Sequence, residues 1–384
     1  MGVPVERWLL ADLREDAQAA PHAIRLKLDK LARDPFAFFR GTLPEYVRVL
    51  SREKRSALSR ARGLVTGDLH LENFGTYLGE HGQVAFDLND FDEVTLAPLV
   101  IDLRRLAASA ALVLGSDSGA HAVLQGFHHG MELALDADLE APPTVQRLIA
   151  ESERAARSAF LAESTILDGR GLRLRLGPTL HAPSQALAPQ LESGLRDLRP
   201  RRSPRGFALL DAARRLAGNG SLGRRRYLAL VAGLAESPVI LDLKEPRRSP
   251  WGHVASLLGE RQRARQVERA ARALRVTSEQ ILGTARVGGR LFQVREHSPH
   301  GMKLAALALE APALLAYARY TGALLARGWR RAGAPVEELA RALDGGGEKQ
   351  LVALAVGDAE RTRADYGRFM KHRESIVRKL ALAS

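Results

Sequence analysis

The chain contains no cysteine, which excludes disulfides, thiolate metal sites and cysteine nucleophiles together. Aromatic residues make up only 5% of it. The densest basic stretches, "RPRRSPR" (199–205) and "GRRRY" (223–227), are not interleaved with aromatics as a platform for single-stranded nucleic acid would be. No uninterrupted apolar run approaches the ~18 residues a membrane span requires. The opening "MGVPVERWLLADLRED" has no basic segment followed by an apolar one, and Glu6 stands where a myristoylation signal has Ser or Thr. The expectation is a cytoplasmic protein with no membrane partner. Lysine is also scarce beside arginine, so each lysine on an apolar strand stands out.

What is present is ample for two lobes or domains: 384 residues, 46% hydrophobic and 26% charged. The net charge of +13 is carried almost wholly by arginine. Such a charge can mark a polyanion-binding surface. It equally reflects an alanine-, leucine- and arginine-rich composition, and nucleic acid is not the expected partner.

Periodicity reads as helices at both ends and strands in two places. "DPFAFFRGTLPEYVRVLSREK" opens on an Asp-Pro helix start. "GLVTGD" is a short strand entering a loop, and "FGTYL", "GEHG", "QVAFDLND" form a hairpin. From "LAPLVIDLRRLAASAALVLG" to about Leu198 the pattern is mostly helical, with a proline break near "HAPSQALAPQ". A second strand region follows in "RRYLALVAG", "SPVILDLKEP" and "GRLFQVREHSP", with "SLLGERQRARQVERAARAL" helical between them. Lys303 to Ser384 is helical again. The reading is an α+β chain with residues 1–205 as a helical large lobe carrying the hairpin, 206–299 as a small β-rich lobe, and 300–384 completing the large lobe. The arginine-rich stretch around Arg201 is the candidate linker.

Two segments gather carboxylates where the pattern says core: "VTGDLHLENFG" (65–75) and "VAFDLNDFDEV" (84–94). An unpaired buried carboxylate costs several kcal/mol, so a cluster implies a compensating cation. With no thiols and several oxygen donors, the hard ion Mg2+ fits. If the second strand region holds ATP phosphates, Asp68 is the group that accepts the proton of an attacking hydroxyl, as general base or orienting group. Asn73, five residues on across a tight loop, ligates the metal through its amide oxygen. Asp90 bridges metal and phosphates, and Asp92, just past the strand, is a second candidate ligand. Alternation puts Asp87 on the opposite face.

The second strand region supplies the other half of such a site. "GNGSLG" places Gly218, Gly220 and Gly223 around Ser221. A strand, not a helix, follows it, which argues against a dinucleotide-binding turn. A glycine loop between two strands suits a lid whose backbone approaches phosphates, although an ordinary hairpin turn has the same composition. Lys244 ends the apolar run "VILDL" and fits an ammonium touching nucleotide phosphates. Its rival reading is a strand-end lysine reaching solvent. Glu260 or Glu268, on the helix that follows, would hold that ammonium, and spacing favours Glu268.

"GDLHLENF" followed by "DLNDFDE" resembles the catalytic and metal-binding segments of aminoglycoside phosphotransferases and related kinase-like enzymes. "DPFAFFRGT", "GDLHLENFG", "NDFDE", "IDLRRLAAS", "GNGSLG", "LKEP" and "VREHSP" together resemble the uncharacterised bacterial family called domain of unknown function 2252. The kinase-like resemblance implies a two-lobed fold, ATP and Mg2+ as cofactors, and phosphoryl transfer to an acceptor hydroxyl whose identity the sequence does not encode. It also implies that Asp102, after Pro98, braces the catalytic loop. Two features depart from the pattern. The glycine loop and lysine follow the catalytic loop, which implies a circular permutation and adjacent termini. Thr66 stands where phosphotransferases usually have histidine, which leaves open an inactive, nucleotide-binding regulator. Nucleotidyl transfer is compatible with the same motifs.

Other residues carry two readings. His70 is either a loop-bracing residue or a metal ligand, and Arg40 either pairs with the carboxylates or caps a helix end. His128 and His129 are adjacent on a helix and diverge, so joint chelation is not expected. "VTGDLHLE" also reads like the D-x-H of a metallophosphoesterase. The later asparagine-histidine pair and G-H-x-H segment of that class are missing, since "WGHV" and "SPHG" do not complete the pattern.

Overall fold

In the computed structural model, the residues described are 4–19, 21–54, 56–196, 198, 207–216, 225–233, 237–246, 249–253 and 262–381. The chain opens on four helices, α1 (Val5–Ala19), α2 (Pro21–Leu31), α3 (Pro35–Gly41) and α4 (Leu43–Leu50). The Asp-Pro signal is a true helix start: the Asp34 carboxylate accepts from Ala37 N at 2.7 Å and Pro35 takes the first helical position. β1 (Arg62–Val65) follows, then the hairpin β2 (Phe74–Leu78) and β3 (Val84–Leu88), then β4 (Thr95–Pro98), which returns antiparallel onto β1. Helices α5 (Val100–Leu114), α6 (Ser118–Glu132), α7 (Pro143–Arg154) and α8 (Arg157–Ser164) come next.

The stretch expected to stay helical to Leu198 does not. β5 (Thr165–Asp168) and β6 (Gly171–Leu174) make a small hairpin around a two-residue loop, Gly169 and Arg170, and β7 (Leu180–His181) joins the main sheet. Glycines at 169 and 171, the latter at φ +105°, disfavour a helix and allow so tight a loop. Helix α9 (Leu187–Arg196) precedes three long strands, β8 (Leu209–Arg215), β9 (Arg226–Val231) and β10 (Val239–Lys244). Helix α10 (Arg263–Leu274), β11 (Leu282–Val287), β12 (Arg290–Glu296), α11 (Ala311–Arg331), α12 (Val336–Ala342) and α13 (Glu348–Lys379) complete the chain. The mixed α+β reading holds.

The main sheet has the order β11-β12-β10-β9-β8-β7 and its pairs are antiparallel. Side chains alternate between its faces. The core of one face is apolar: Ala229, Val231, Val239, Leu241, Leu243, Phe292 and Val294 pack with Leu187, Leu191 and Leu195 of α9. The other face divides. Ala213, Leu228, Leu230 and Ile240 form a small apolar cluster with Leu174, and beside it come Arg226 on β9, Asp242 and Lys244 on β10, and Gln293 and Arg295 on β12. That polar half looks onto the hairpin β2–β3.

A larger core joins α5, α6, α11 and the hairpin. A third packs Val5, Trp8, Leu9 and Leu13 of α1 against Phe369, Ile376 and Leu380, so the first and last helices are neighbours. Among the described residues no helix is long and apolar enough to cross a membrane.

Candidate functional site

Helix α5 builds the loop that follows β1. Asp102, Arg105 and Ser109 fall at i, i+3 and i+7 on one face of a helix whose other charged residue, Arg104, pairs with Glu53 and Asp358. The Asp102 carboxylate accepts from Thr66 N (2.5 Å), Thr66 Oγ1 (3.0 Å) and Gly67 N (2.9 Å). Arg105 donates from Nε to Asp68 Oδ1 at 2.8 Å, and Ser109 Oγ accepts from Leu71 N at 3.1 Å. Thr66, the departure from the phosphotransferase pattern, thus adds a bond to the brace. Burial raises the Asp102 pKa to about 6 even though Thr66 and Gly67 donate to it.

Gly67 is held at φ +81°. A Cβ there would meet the Glu93 carbonyl and Trp251 Nε1, the latter at 2.8 Å. Trp251 Nε1 in turn donates to Gly67 O at 2.8 Å. The loop is therefore fixed from both sides, and Asp68 projects from it with 24% of its side chain exposed. Desolvation pushes the Asp68 carboxyl up to about 7, with Arg105 opposing and Glu93 and Asp90 adding to the rise.

Asn73 closes the loop by donating from Nδ2 to Asp68 O at 2.5 Å, which leaves its amide oxygen as the atom a hard cation would take. The backbone N of Asn89 donates to Asn73 O at 2.7 Å, so hairpin and loop share a register. Asp90 Oδ1 accepts from Asp92 N at 3.1 Å, which orients the Asp90 carboxylate. Asp87 points away, as alternation predicts, onto Arg331 and Val276 N.

Lys244 reaches this group from the sheet and forms an ion pair with Asp92. Lys244, Asp68, Asn73, Asp90 and Asp92, drawn from both halves of the sequence, line one cleft of about 460 Å³. Glu268 is not the partner of Lys244. It bonds Arg272 on its own helix at 3.2 Å, because the i,i+4 pair is nearer than the strand end. Gly218, Gly220, Ser221 and Gly223 lie outside the described residues, as do Glu260 and the linker around Arg201. The segment that holds those glycines connects β8 to β9, two antiparallel strands.

His70 is buried and stays neutral. Desolvation, then Arg40 and Arg105, hold its pKa well below the ordinary imidazole value, and its Nδ1 accepts from Glu72 N at 3.2 Å. Arg40 pairs with Glu72, not with the hairpin carboxylates. Among the described residues no three His, Asp or Glu side chains converge as a protein-made metal cage.

The cleft also contains cations that motif reading passed over. The segment 300–303 runs beside β2, with Thr76 N donating to Met302 O at 2.9 Å, and this brings Lys303 to the cleft. Desolvation lowers the Lys303 pKa, Asp90 opposes that shift, and Arg295, Arg40 and Lys244 add to it. Arg215 and Arg226 line the sheet side and share Asp242. The scarcity of lysine was a signal for Lys303. For the arginines the signal was alternation on β9 and β10, which puts Arg226, Asp242 and Lys244 on one face.

Chemically, the cleft pairs a carboxylate of raised pKa with oxygen donors for a hard cation on one wall and fixed cations on the other. No curated protein and no solved structure matches the chain. The sequence pattern of one family matches residues 19–125 and 116–372, which take in the loop, the hairpin, the sheet and most of α13. The chain belongs to that family, described as "uncharacterized protein conserved in bacteria", domain of unknown function 2252.

Proposed function

We propose that this protein is an ATP- and Mg2+-dependent phosphotransferase acting on a hydroxyl of a small molecule or protein, in a circularly permuted kinase-like arrangement with a mid-chain small lobe. The observation that carries this reading is the meeting of Lys244, from the sheet, with Asp68, Asn73 and Asp90 in one cleft. The packing of α1 on α13 supports the permutation, which requires neighbouring chain ends.

Asp68 is the base. A carboxyl pushed up to about 7 takes a proton far more readily at neutral pH than an ordinary aspartate does. Arg105 and the Asp102 brace hold it in position. Asn73 and Asp90 would hold Mg2+ through oxygen, the donor type that ion prefers. When bound, the metal supplies charge neutralisation at the phosphate oxygens. Lys244 would bind those oxygens after exchanging its ion pair with Asp92, which would free the Asp92 carboxylate as a second candidate ligand for the metal.

The test is calorimetric titration of ATP with and without Mg2+ on wild type and Lys244→Ala. Tight magnesium-dependent binding that weakens at least tenfold in the variant, about 1.4 kcal/mol or more, is the expected result. No binding by wild type rejects the reading. Binding with no phosphate release under any acceptor screen assigns the inactive nucleotide-binding regulator instead.

A further inference from the structure

The cleft face of the sheet carries a row of cations that one lysine's task does not require. Register pairs Lys244 with Arg226 on β9 and with Gln293 on β12. Arg214 pairs with Tyr227, so Arg215 falls at the next position, beside Arg226. Arg215, Arg226 and Lys244 therefore lie side by side across three strands, at the ~5 Å spacing of directly opposed residues. Like charges so opposed destabilise a sheet. All three line the cleft, each with roughly a fifth of its side chain exposed.

Asp242, one step further in on the same face, fixes the two guanidiniums. Arg226 bonds it through Nε (2.7 Å) and Nη2, and Arg215 through Nη1 (2.8 Å). Burial alone would raise the Asp242 pKa, but Arg226 and Arg215 hold it at about 2, so it stays ionised. One carboxylate balances one of the two arginines. The remaining N–H groups of both forks have no hydrogen bond among the described residues. Two planar forks beside an ammonium match a chain of phosphates, whose oxygens recur along a line and accept bidentately.

We propose that Arg215, Arg226 and Lys244 form a phosphate-chain subsite, with Asp242 as its positioning residue, so that the ligand class is a linear di- or triphosphate gripped by its phosphates from the sheet side. The subsite rests on the phosphotransferase reading for its place in a reaction, but not for its chemistry.

The test titrates inorganic tripolyphosphate and, separately, Mg-ATP into wild type and two variants, each checked for an unchanged thermal melt. Arg215→Gln leaves Asp242 paired with Arg226. The paired variant Arg226→Gln with Asp242→Asn removes a cation together with its carboxylate, so local net charge is kept and no buried carboxylate is orphaned. Wild type should bind tripolyphosphate, and each variant should lose about tenfold or more in affinity. Tripolyphosphate binding left unchanged in both variants overturns the subsite, as does failure of wild type to bind the probe. Mg-ATP binding that persists while tripolyphosphate is ignored rejects the subsite and leaves the nucleotide reading intact. Tripolyphosphate binding that the variants lose, with no response to Mg-ATP, rejects the nucleotide and retains the subsite.

Discussion

The proposed base, Asp68, would have to answer two opposed demands. A base must be desolvated enough to bind a proton near neutral pH, yet a loop carboxylate at a cleft needs an anchor. Desolvation raises its pKa to about 7 while Arg105 holds one oxygen and limits the rise. If Asp68 is the base, only its ionised form works, so kcat/KM should climb with pH through about 7 and level off above it. Asp68→Asn should lose roughly 10²–10⁴-fold in turnover while still binding Mg-ATP. A variant that retains the wild-type rate and pH profile removes Asp68 from the chemistry. The closeness of Asp68 and Asn73 was legible in sequence because they are joined by a short loop whose geometry their spacing already limits. Glu268 was misread because its role depended on which of several partners lay nearest, and Arg272 on the same helix decided that. Lys303 was missed because a backbone pairing between distant segments, at Thr76 and Met302, brings it to the cleft.

At the scale of an element, the loop after β1 is held by the polar face of α5 and by Trp251, and Gly67 is where these constraints meet. Its φ of +81° is disfavoured for any residue with a Cβ, by roughly 1–2 kcal/mol. The Glu93 carbonyl and Trp251 also block the space a Cβ would fill. Gly67→Ala should therefore destabilise the protein by about 2 kcal/mol or more in urea unfolding. It should also lower turnover more than a surface change of equal stability cost, because Asp68 is the next residue. Wild-type stability in Gly67→Ala would mean the loop can relax, and the argument from α5 would fail. The hairpin, β1, β9, β10 and β12 were readable from their apolar runs and alternation, whereas β8, Leu209–Arg215, was not. β4, β11 and the β5–β6 hairpin were not, since short strands with few apolar residues take their pairing from tertiary partners rather than from their own pattern.

At the scale of the whole molecule, the site exists only if the sheet is registered on the hairpin, and one buried ion cluster does much of that joining. Glu279 bridges backbone to backbone with Gly79, in the turn of the hairpin, and its carboxylate bonds both Arg275 and Arg295. Arg275 donates to Leu88 O, while Arg295, on β12, donates to Asn89 O at 3.0 Å and to its Oδ1 at 2.7 Å. Asn89 immediately precedes Asp90, so this cluster sets the distance between the sheet cations and the hairpin carboxylates. Burial would raise the Glu279 pKa, but Arg295 and Arg275 outweigh it and hold the group below its ordinary value. A carboxyl depressed by folding stabilises the native state above its unfolded pKa of ~4.3, and that contribution is lost as pH falls through the lower folded value. Glu279→Ala leaves buried Arg275 without its carboxylate and should cost about 3–5 kcal/mol at pH 7. Glu279→Gln should cost less and should lack the Glu279 share of the acid-induced loss below pH ~4, measured by urea unfolding across pH 2–7. If the cluster also sets the cleft, Glu279→Gln should weaken Mg-ATP binding although residue 279 does not line that cleft. Equal affinity in the two proteins would confine the cluster to stability and leave the register of sheet on hairpin to the backbone bonds at Leu78 and Glu80.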